Sequence, residues 1–513
     1  MTAPLSIPSI RNLDLRPTQP GPVSGGNTFG YSRKGAGRKG SLGKWYGQKL
    51  SRFTESRERE ILTGRAADII GSDPHAASVS DSMATHIVGT GLTPQPSPFF
   101  KALGMTEDEA QDMREACRLA WISWQSEADA RGRLPFWMLS LLAVYDYFTH
   151  GEFFQQPVML DSPNRTFSLA LQQISPSRVF TPADRQDNGA FRDGIEIGTM
   201  GQPLRYWVAG VDARTGKMAR NAGDFTPVPA WVGHRPGIFH GMISKGTDQY
   251  RGVSPLAPAM KLFRDLSDYL DFEVVGAIVA ASFPVWIETP YPSEMAEQFL
   301  DKNEMSQRGE EYQEVAPAGI YYGRSGERPH ILSTTRPGNT FEPFVERLLR
   351  GIGASVGLPY EVISKDFSKT NYAGARAALL EAWNLFSLYQ QWLVSGYMQP
   401  IYEMLMEEAY LRGWIKIKKH WPDWYAARRL YTHCRWIPPR RGHVDPSKEI
   451  SAIIDAMNSN IMTLGEAIAE VRGGSADWES ILEQRGRERA REKEKDLVVE
   501  RGRKAVWKDG EEE

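Results

Sequence analysis

Between residues 54 and 151, apolar positions recur at three- and four-residue intervals, the spacing of helices that bury one face. "TESRERE" opens the first helix, and "ADIIGSDPHAASVSDSMATHIVG" carries it to about residue 89 with a break near Pro74. In "EDEAQDMREACRLAWISWQSEAD", Met113, Cys117, Ala120, Trp121 and Trp124 share one face. "PFWMLSLLAVYDYFTHGE" predicts a more buried helix ending near Gly151. The period then changes. From 153 to 240, alternating and β-branched runs such as "EFFQQPVML", "FSLALQQI", "GIEIG" and "RYWVAG" are separated by Gly, Asn and Pro, which predicts strands.

Helical spacing returns in "VSPLAPAMKLFRDLSDYLDFEVVGAIVAASF", where Ser254 suits a cap and Pro255 the first turn. A helix over 254–283 would reach about 45 Å. Residues 285–335 mix strand-like "VWIET" and "GIYYG" with a charged helical run, "PSEMAEQFLDKNEMSQRGEEYQE". "TFEPFVERLLRGIGASVG" is helical, with Phe341, Phe344, Val345, Leu348 and Ile352 on one face. A polar loop follows, then a helix from about Gly374 to Leu411, bent near Gly396 and Pro400. "CRWIPPRR" reads as extended, Asp445-Pro446 starts another helix, and "TLGE" (Thr463–Glu466) is a capping box opening the next. The charged end reads as a fraying helix, and there is no internal repeat.

The 513 residues allow two to four domains, and 24% charged with 41% apolar residues is ordinary globular usage. A net charge of -2 argues against a tight, sequence-independent nucleic-acid binder. Residues 1–50 differ from the rest: nine Gly, five Pro, eight Lys or Arg and one acid predict a flexible basic arm. Cys117 and Cys434 lie far apart without a C-x-x-C, so both read as small buried hydrophobes outside any disulfide framework. No signal peptide is apparent, and the longest uncharged apolar run, 274–287, is interrupted by Pro284 and too short to span a bilayer. A soluble chain is expected.

Candidate chemistry narrows quickly. Gly353-Ala354-Ser355-Val356-Gly357 matches G-x-S-x-G, but a nucleophile elbow needs a buried strand before the serine and a helix after it. Here "FVERLLRGI" has helical spacing and three charges, although His420, His433 and His443 lie downstream. "GVDARTGK" (210–217) has one residue too many for a phosphate loop and reads as a hairpin turn. The nine histidines show no metal-ligand spacing. The acidic pairs Glu310-Glu311 and Glu407-Glu408 read as solvated helix faces whose members point different ways. No catalytic residue, metal or cofactor is expected.

At "YRGVSPLAPAMKLFRDLSDYLDFE" (250–273) and "GLPYEVISKDFSKTNYAGARAALLEAW" (357–383) the sequence resembles the lambda-like family of bacteriophage portal proteins. "ATHIVGTGL", "WISWQSEADARGRLPFWMLS", "HGEFF", "LALQQISPSRVFTP", "GIEIGTMGQPLRYWV" and "WIPPRRGHVDPSKEISA" follow the family's order, covering about 60–490. "NYAGAR" stands where the family usually has two serines after Asn-Tyr. The resemblance implies an α+β, portal-type multidomain subunit of a dodecameric ring at one capsid vertex. Double-stranded DNA is packaged and ejected through such a ring.

The parts expected from it are a basic arm (1–53), a wing of helices then strands (54–253), a stem helix (254–283), a clip (284–340), a second stem helix (341–357), a tunnel loop (358–373), a long helix returning to the wing (374–445), a helical crown (446–495) and a charged tail (496–513). The DNA-facing residues of that loop would be Ser364, Lys365, Asp366, Phe367, Ser368, Lys369, Thr370 and Asn371. Implied partners are further copies of the chain, duplex DNA, the terminase large subunit, a head-completion or connector protein, and a major capsid or scaffold protein, with no membrane. The implied location is the virion portal vertex, after assembly in the host cytoplasm. Trp383, Phe386, Tyr389, Trp392 and Tyr397 read as aromatics packed within or between subunits, since a duplex keeps its bases inside. Two other readings remain: a serine hydrolase using Ser355, and a DNA-binding assembly factor using the basic arm.

Overall fold

The structure is a computed structural model that describes residues 52–212, 214–247, 249–281, 285–288, 320–323, 341–439, 446–472 and 478–494. The expected basic arm lies outside the described residues apart from its last two positions. So do the charged helix of the clip with Glu310-Glu311, His443, and the charged tail.

In chain order, α1 (Arg52–Ser72) and α2 (Pro74–Ile87) are followed by β1 (Thr93–Pro96), α3 (Glu107–Gln125) and α4 (Phe136–His150). The strands β2 (Glu152–Met159), β3 (Leu169–Ile174), β4 (Phe191–Arg192), β5 (Ile195–Ile197), β6 (Pro203–Ala209), β7 (Phe225–Pro229), β8 (Trp231–Val232), β9 (Arg235–Pro236) and β10 (Phe239–Met242) come next. Then come α5 (Met260–Ala281), β11 (Val285–Glu288), β12 (Ile320–Gly323), α6 (Phe341–Val356), α7 (Tyr360–Ser364), α8 (Tyr372–Leu393) and α9 (Gln399–Leu411). The chain closes with α10 (Trp424–Tyr431), β13 (Cys434–Ile437), α11 (Pro446–Asn458), α12 (Leu464–Arg472) and α13 (Trp478–Glu494).

The chain divides into two compact units: one of residues 1–57, 83–252 and 383–513, the other of 58–82 and 253–382. In the first, β10-β2-β3 form an antiparallel sheet, β4-β5-β6-β7 a second, and β1 pairs with β13. Phe154, Ile174, Ile195, Tyr206, Val208 and Val228 from the strands of both sheets, with Val179 and Ile238 beside them, form one core cluster. α3 buries the face that its spacing predicts. Its Trp121 meets Phe136 of α4 and Tyr402 of α9, while Tyr147 meets Tyr389 and Trp392 of α8. Trp383 and Phe386 pack around His86, and Tyr397 lies against Phe136 and Phe153. Of the two kinds of packing open to the aromatics of 383–397, that within the subunit is present.

α4 ends at Gly151, whose φ of 83° suits a residue without Cβ. The predicted turn at 210–217 is present: the Asp212 carboxylate accepts the Arg214 and Thr215 amides, and Val211 bridges to Met218. The bend expected near Gly396 and Pro400 is a π-helical turn, Val394–Met398, between α8 and α9. Pro400 has no N–H for the Gly396 carbonyl, so an α-helical ladder cannot run through unchanged.

Three local expectations need correction. The helix expected over 254–283 begins at Met260, after a 3₁₀ turn at Ala257–Ala259. Ser254 does not cap it: its hydroxyl accepts the Leu256 amide two residues on, and the 3₁₀ turn that follows has no side-chain cap. α5 has 22 residues, about 33 Å rather than 45.

Glu407 and Glu408 do point different ways, but neither is solvated. Glu407, 1% exposed, accepts from His234 and Arg235, whereas Glu408 accepts the Ser168 and Leu169 amides and Arg412. A buried carboxylate must be paired to persist, and here strand backbone and cations supply the pairing.

Cys117 is buried, and burial pushes its thiol up to about 12. Cys434 is only partly buried and donates to Gln399 Oε1 at 3.0 Å, so it does more than fill space.

Candidate DNA-facing loop

In the second unit α5 and α6 run antiparallel. Tyr269 packs on Phe341 and Phe344 at one end, and Gly351 sits beside Leu262 at the other. α6 contains the G-x-S-x-G stretch. Ser355 lies in its last turn, with its hydroxyl donating to the Ile352 carbonyl at 2.7 Å. No strand precedes it, so the elbow geometry is absent. Gly357 (φ 76°) ends the helix, and the Leu358 amide returns to the Gly353 carbonyl at 3.0 Å. Gly353 is required there, because an added Cβ would lie 2.4 Å from the Leu358 carbonyl oxygen.

The segment expected as an open loop over 358–373 begins with a single helical turn, α7, which Pro359 precedes in extended geometry. Val362 and Ile363 of that turn are buried, and the Ile363 carbonyl accepts from Ser78 Oγ at 2.9 Å. The irregular part is therefore 365–371. Lys365 turns the chain with φ 57°, and Ser364 Oγ accepts the Asp366 amide. The Asp366 carboxylate accepts the Ser368 amide at 2.9 Å. Hydrogen bonds from the Ser368 side chain and amide, and the nearby Lys369 charge, hold the Asp366 carboxyl below its ordinary value.

The Thr370 amide closes a turn on the Phe367 carbonyl. Asn371 then caps α8, its side-chain oxygen accepting the Gly374 amide at 2.7 Å. Phe367 is 44% exposed at the tip.

Seven of the eight expected residues thus lie on the connection between α7 and α8, and Ser364 is the last residue of α7. Neither lysine extends as an isolated cation. Lys365 Nζ donates to the neutral hydroxyl of Ser82. Lys369 Nζ lies 2.5 Å from Glu342 and 3.8 Å from Glu346, both on α6, and its pKa is raised first by the Glu342 hydrogen bond. Glu346 is shared with Arg350 at 2.6 Å, and Thr370 Oγ1 donates to Glu361 at 2.8 Å.

Sequence reading did not single out Ser82, Glu342, Glu346 or Glu361. The four-residue spacing of Glu342, Glu346 and Arg350 marks a charged helix face. Nothing in the sequence pairs that face with a lysine 23 positions beyond its last acid. Among the described residues there is no group of acids, histidines or cysteines placed to hold a metal.

The profile described as phage portal protein, lambda family, matches residues 38–390, more than half of the chain. The chain belongs to that family. It is 25% identical over 486 residues to portal protein B of Escherichia phage lambda, covering 90% of this chain and 89% of the relative. To the portal protein of Escherichia phage N15 it is 25% identical over 511 residues, covering 94% and 93%. Among solved structures it is similar to chains in the neck of a native gene transfer agent particle computed with C12 symmetry (12% identity, TM-score 0.38, 79% of this chain and 92% of that one). Another is the neck of an empty particle computed with C6 symmetry (14% identity, TM-score 0.42, 79% and 92%).

This is a phage portal protein with a structural role in the capsid, and the serine-hydrolase reading has no support. Portal proteins form ring assemblies and are virion components. Among the described residues of this portal chain, no helix is long and apolar enough to cross a membrane.

Proposed function

We propose that this portal chain is one wall segment of a dodecameric ring at a single capsid vertex, and that double-stranded DNA enters and leaves through the ring. In this reading the terminase large subunit drives the DNA, and a head-completion or connector protein binds once packaging ends. A major capsid or scaffold protein surrounds the ring, assembly takes place in the host cytoplasm, and the chain itself turns nothing over and carries no cofactor.

α5 and α6 serve as stem, β11 and β12 belong to the clip, residues 54–253 with 374–445 form the wing, and α11–α13 form the crown. Residues 364–371 face the channel.

The observation that carries this reading is the charge arrangement of the 365–371 segment in a chain of this family. A wall that grips many phosphates binds strongly and in a salt-dependent way, which stalls a moving duplex. A lysine already matched by carboxylates of its own subunit touches DNA without holding it. The outer part of α5 supports the ring: Phe272, Val274, Val275 and Ile278 are all more than half exposed, an apolar stretch suited to burial against a neighbouring copy. Negative-stain microscopy of the purified full chain tests the proposal. Rings with a central hole are expected, and a monodisperse monomer under all assembly conditions overturns it.

A further inference from the structure

Resting on the portal reading, we infer that Glu342 and Glu346 act as built-in competitors for phosphate, setting how weakly the loop engages duplex DNA by occupying Lys369. The two loop lysines are not equivalent. Lys365 hydrogen-bonds a neutral hydroxyl, so its charge remains available to an external anion. Lys369 faces two carboxylates from consecutive turns of α6, the nearer at 2.5 Å.

Those carboxylates present to the ammonium what a phosphodiester presents: anionic oxygens at hydrogen-bonding distance. A phosphate reaching Lys369 must displace Glu342, and that oxygen then needs water in its place. Lys369 and Glu342 are both substantially exposed, so the pair exchanges readily and does not lock the loop. Arg350 holds Glu346 at 2.6 Å, which keeps the second carboxylate beside the lysine when the first has swung away. The arrangement lets one cation per subunit be lent to a passing phosphate and recovered. Around a ring this keeps the number of phosphates neutralised at once small, and affinity depends on that number.

The test uses assembled full-length rings and a fluorescein-labelled duplex, with anisotropy followed across a potassium chloride series. Glu342→Gln combined with Glu346→Gln is expected to bind about tenfold tighter than the unaltered protein at equal salt, with a steeper salt slope. Adding Lys369→Gln is expected to remove that gain. Unchanged affinity, or a gain that survives Lys369→Gln, overturns the inference. If the double variant does not assemble, Glu342→Gln alone is measured, and a gain below about twofold has the same meaning. Unchanged affinity in rings that package normally counts only against the carboxylates' role. Absence of rings in the unaltered protein counts against the portal-channel reading itself.

Discussion

Glu152 and Glu407 are buried carboxylates in one unit, and their partners differ in exposure. Glu152 accepts from Arg251, His240 and the Gly252 amide, and Arg251 is itself only 5% exposed. Glu407 accepts from Arg235, which is 34% exposed, and from His234. Burial raises both carboxyl pKa values. At Glu152 the Arg251 charge and the His240 contact lower it by more, and at Glu407 the hydrogen bonds from Arg235 and His234 do the same. Both end below the ordinary value.

Removing Glu152 strands a buried guanidinium, so Glu152→Ala is expected to destabilise by about 3–5 kcal/mol, whereas solvent can reach the Arg235 guanidinium that Glu407→Ala leaves behind, for about 3 kcal/mol. Because the folded pKa values are depressed, these contributions are complete above the unfolded carboxylate value of about 4.3 and are lost as pH falls through the lower folded values. Urea midpoints of the unaltered and Glu152→Ala proteins are therefore expected to converge in acid. A gap unchanged between about pH 7 and pH 3 contradicts the assignment. Ser355 makes the opposite point: its hydroxyl is spent on the Ile352 carbonyl in a helix, so a fluorophosphonate probe is expected to leave it unlabelled.

Element boundaries follow local chemistry where that chemistry is self-contained. The box read at Thr463–Glu466 is present: Thr463 Oγ1 accepts the Glu466 amide, and Glu466 accepts the Thr463 amide at 2.8 Å. The Thr463 amide, with Arg435, takes the Glu466 carboxyl down to about 2. Thr463→Ala is expected to fray the start of α12 at a cost of about 1 kcal/mol, seen as faster hydrogen exchange at 464–467. Unchanged exchange would mean that tertiary packing, not the cap, fixes that end.

At Ser254 local chemistry misled, because a serine hydroxyl can accept an amide two residues on in a tight turn as readily as it caps a helix, and such a turn precedes α5. The opening of 358–373 into a helical turn has a different cause. Val362 and Ile363 can be buried only if the chain coils back, and a lone apolar pair in a polar stretch has too little periodicity to announce that.

For the whole molecule, the loop is separable from the parts that hold it. Because Val362 and Ile363 are core residues, a deletion reaching them would damage packing. Replacing only 366–370 by a Gly/Ser stretch of equal length leaves α7 and the Asn371 cap in place. Rings are expected to form normally and packaged genome to fall, measured as DNA retained per particle. Wild-type retention would remove residues 366–370 from any channel role.

The alternation of periods along the chain was enough to determine most of the described helix and strand segments, though not α7, α10 or the start of α5, together with the buried face of α3 and the ends at Gly151 and Thr463, because each of these depends on neighbours within a turn or two. Family membership was also legible, from the order of short motifs. Tertiary structure alone decided that Glu407 and Glu408 are buried, that Arg251 meets Glu152, and that Lys369 is matched by Glu342. Those pairings join positions from 27 to 240 residues apart, and a single sequence carries no energy term for a contact until the backbone has brought the two groups together.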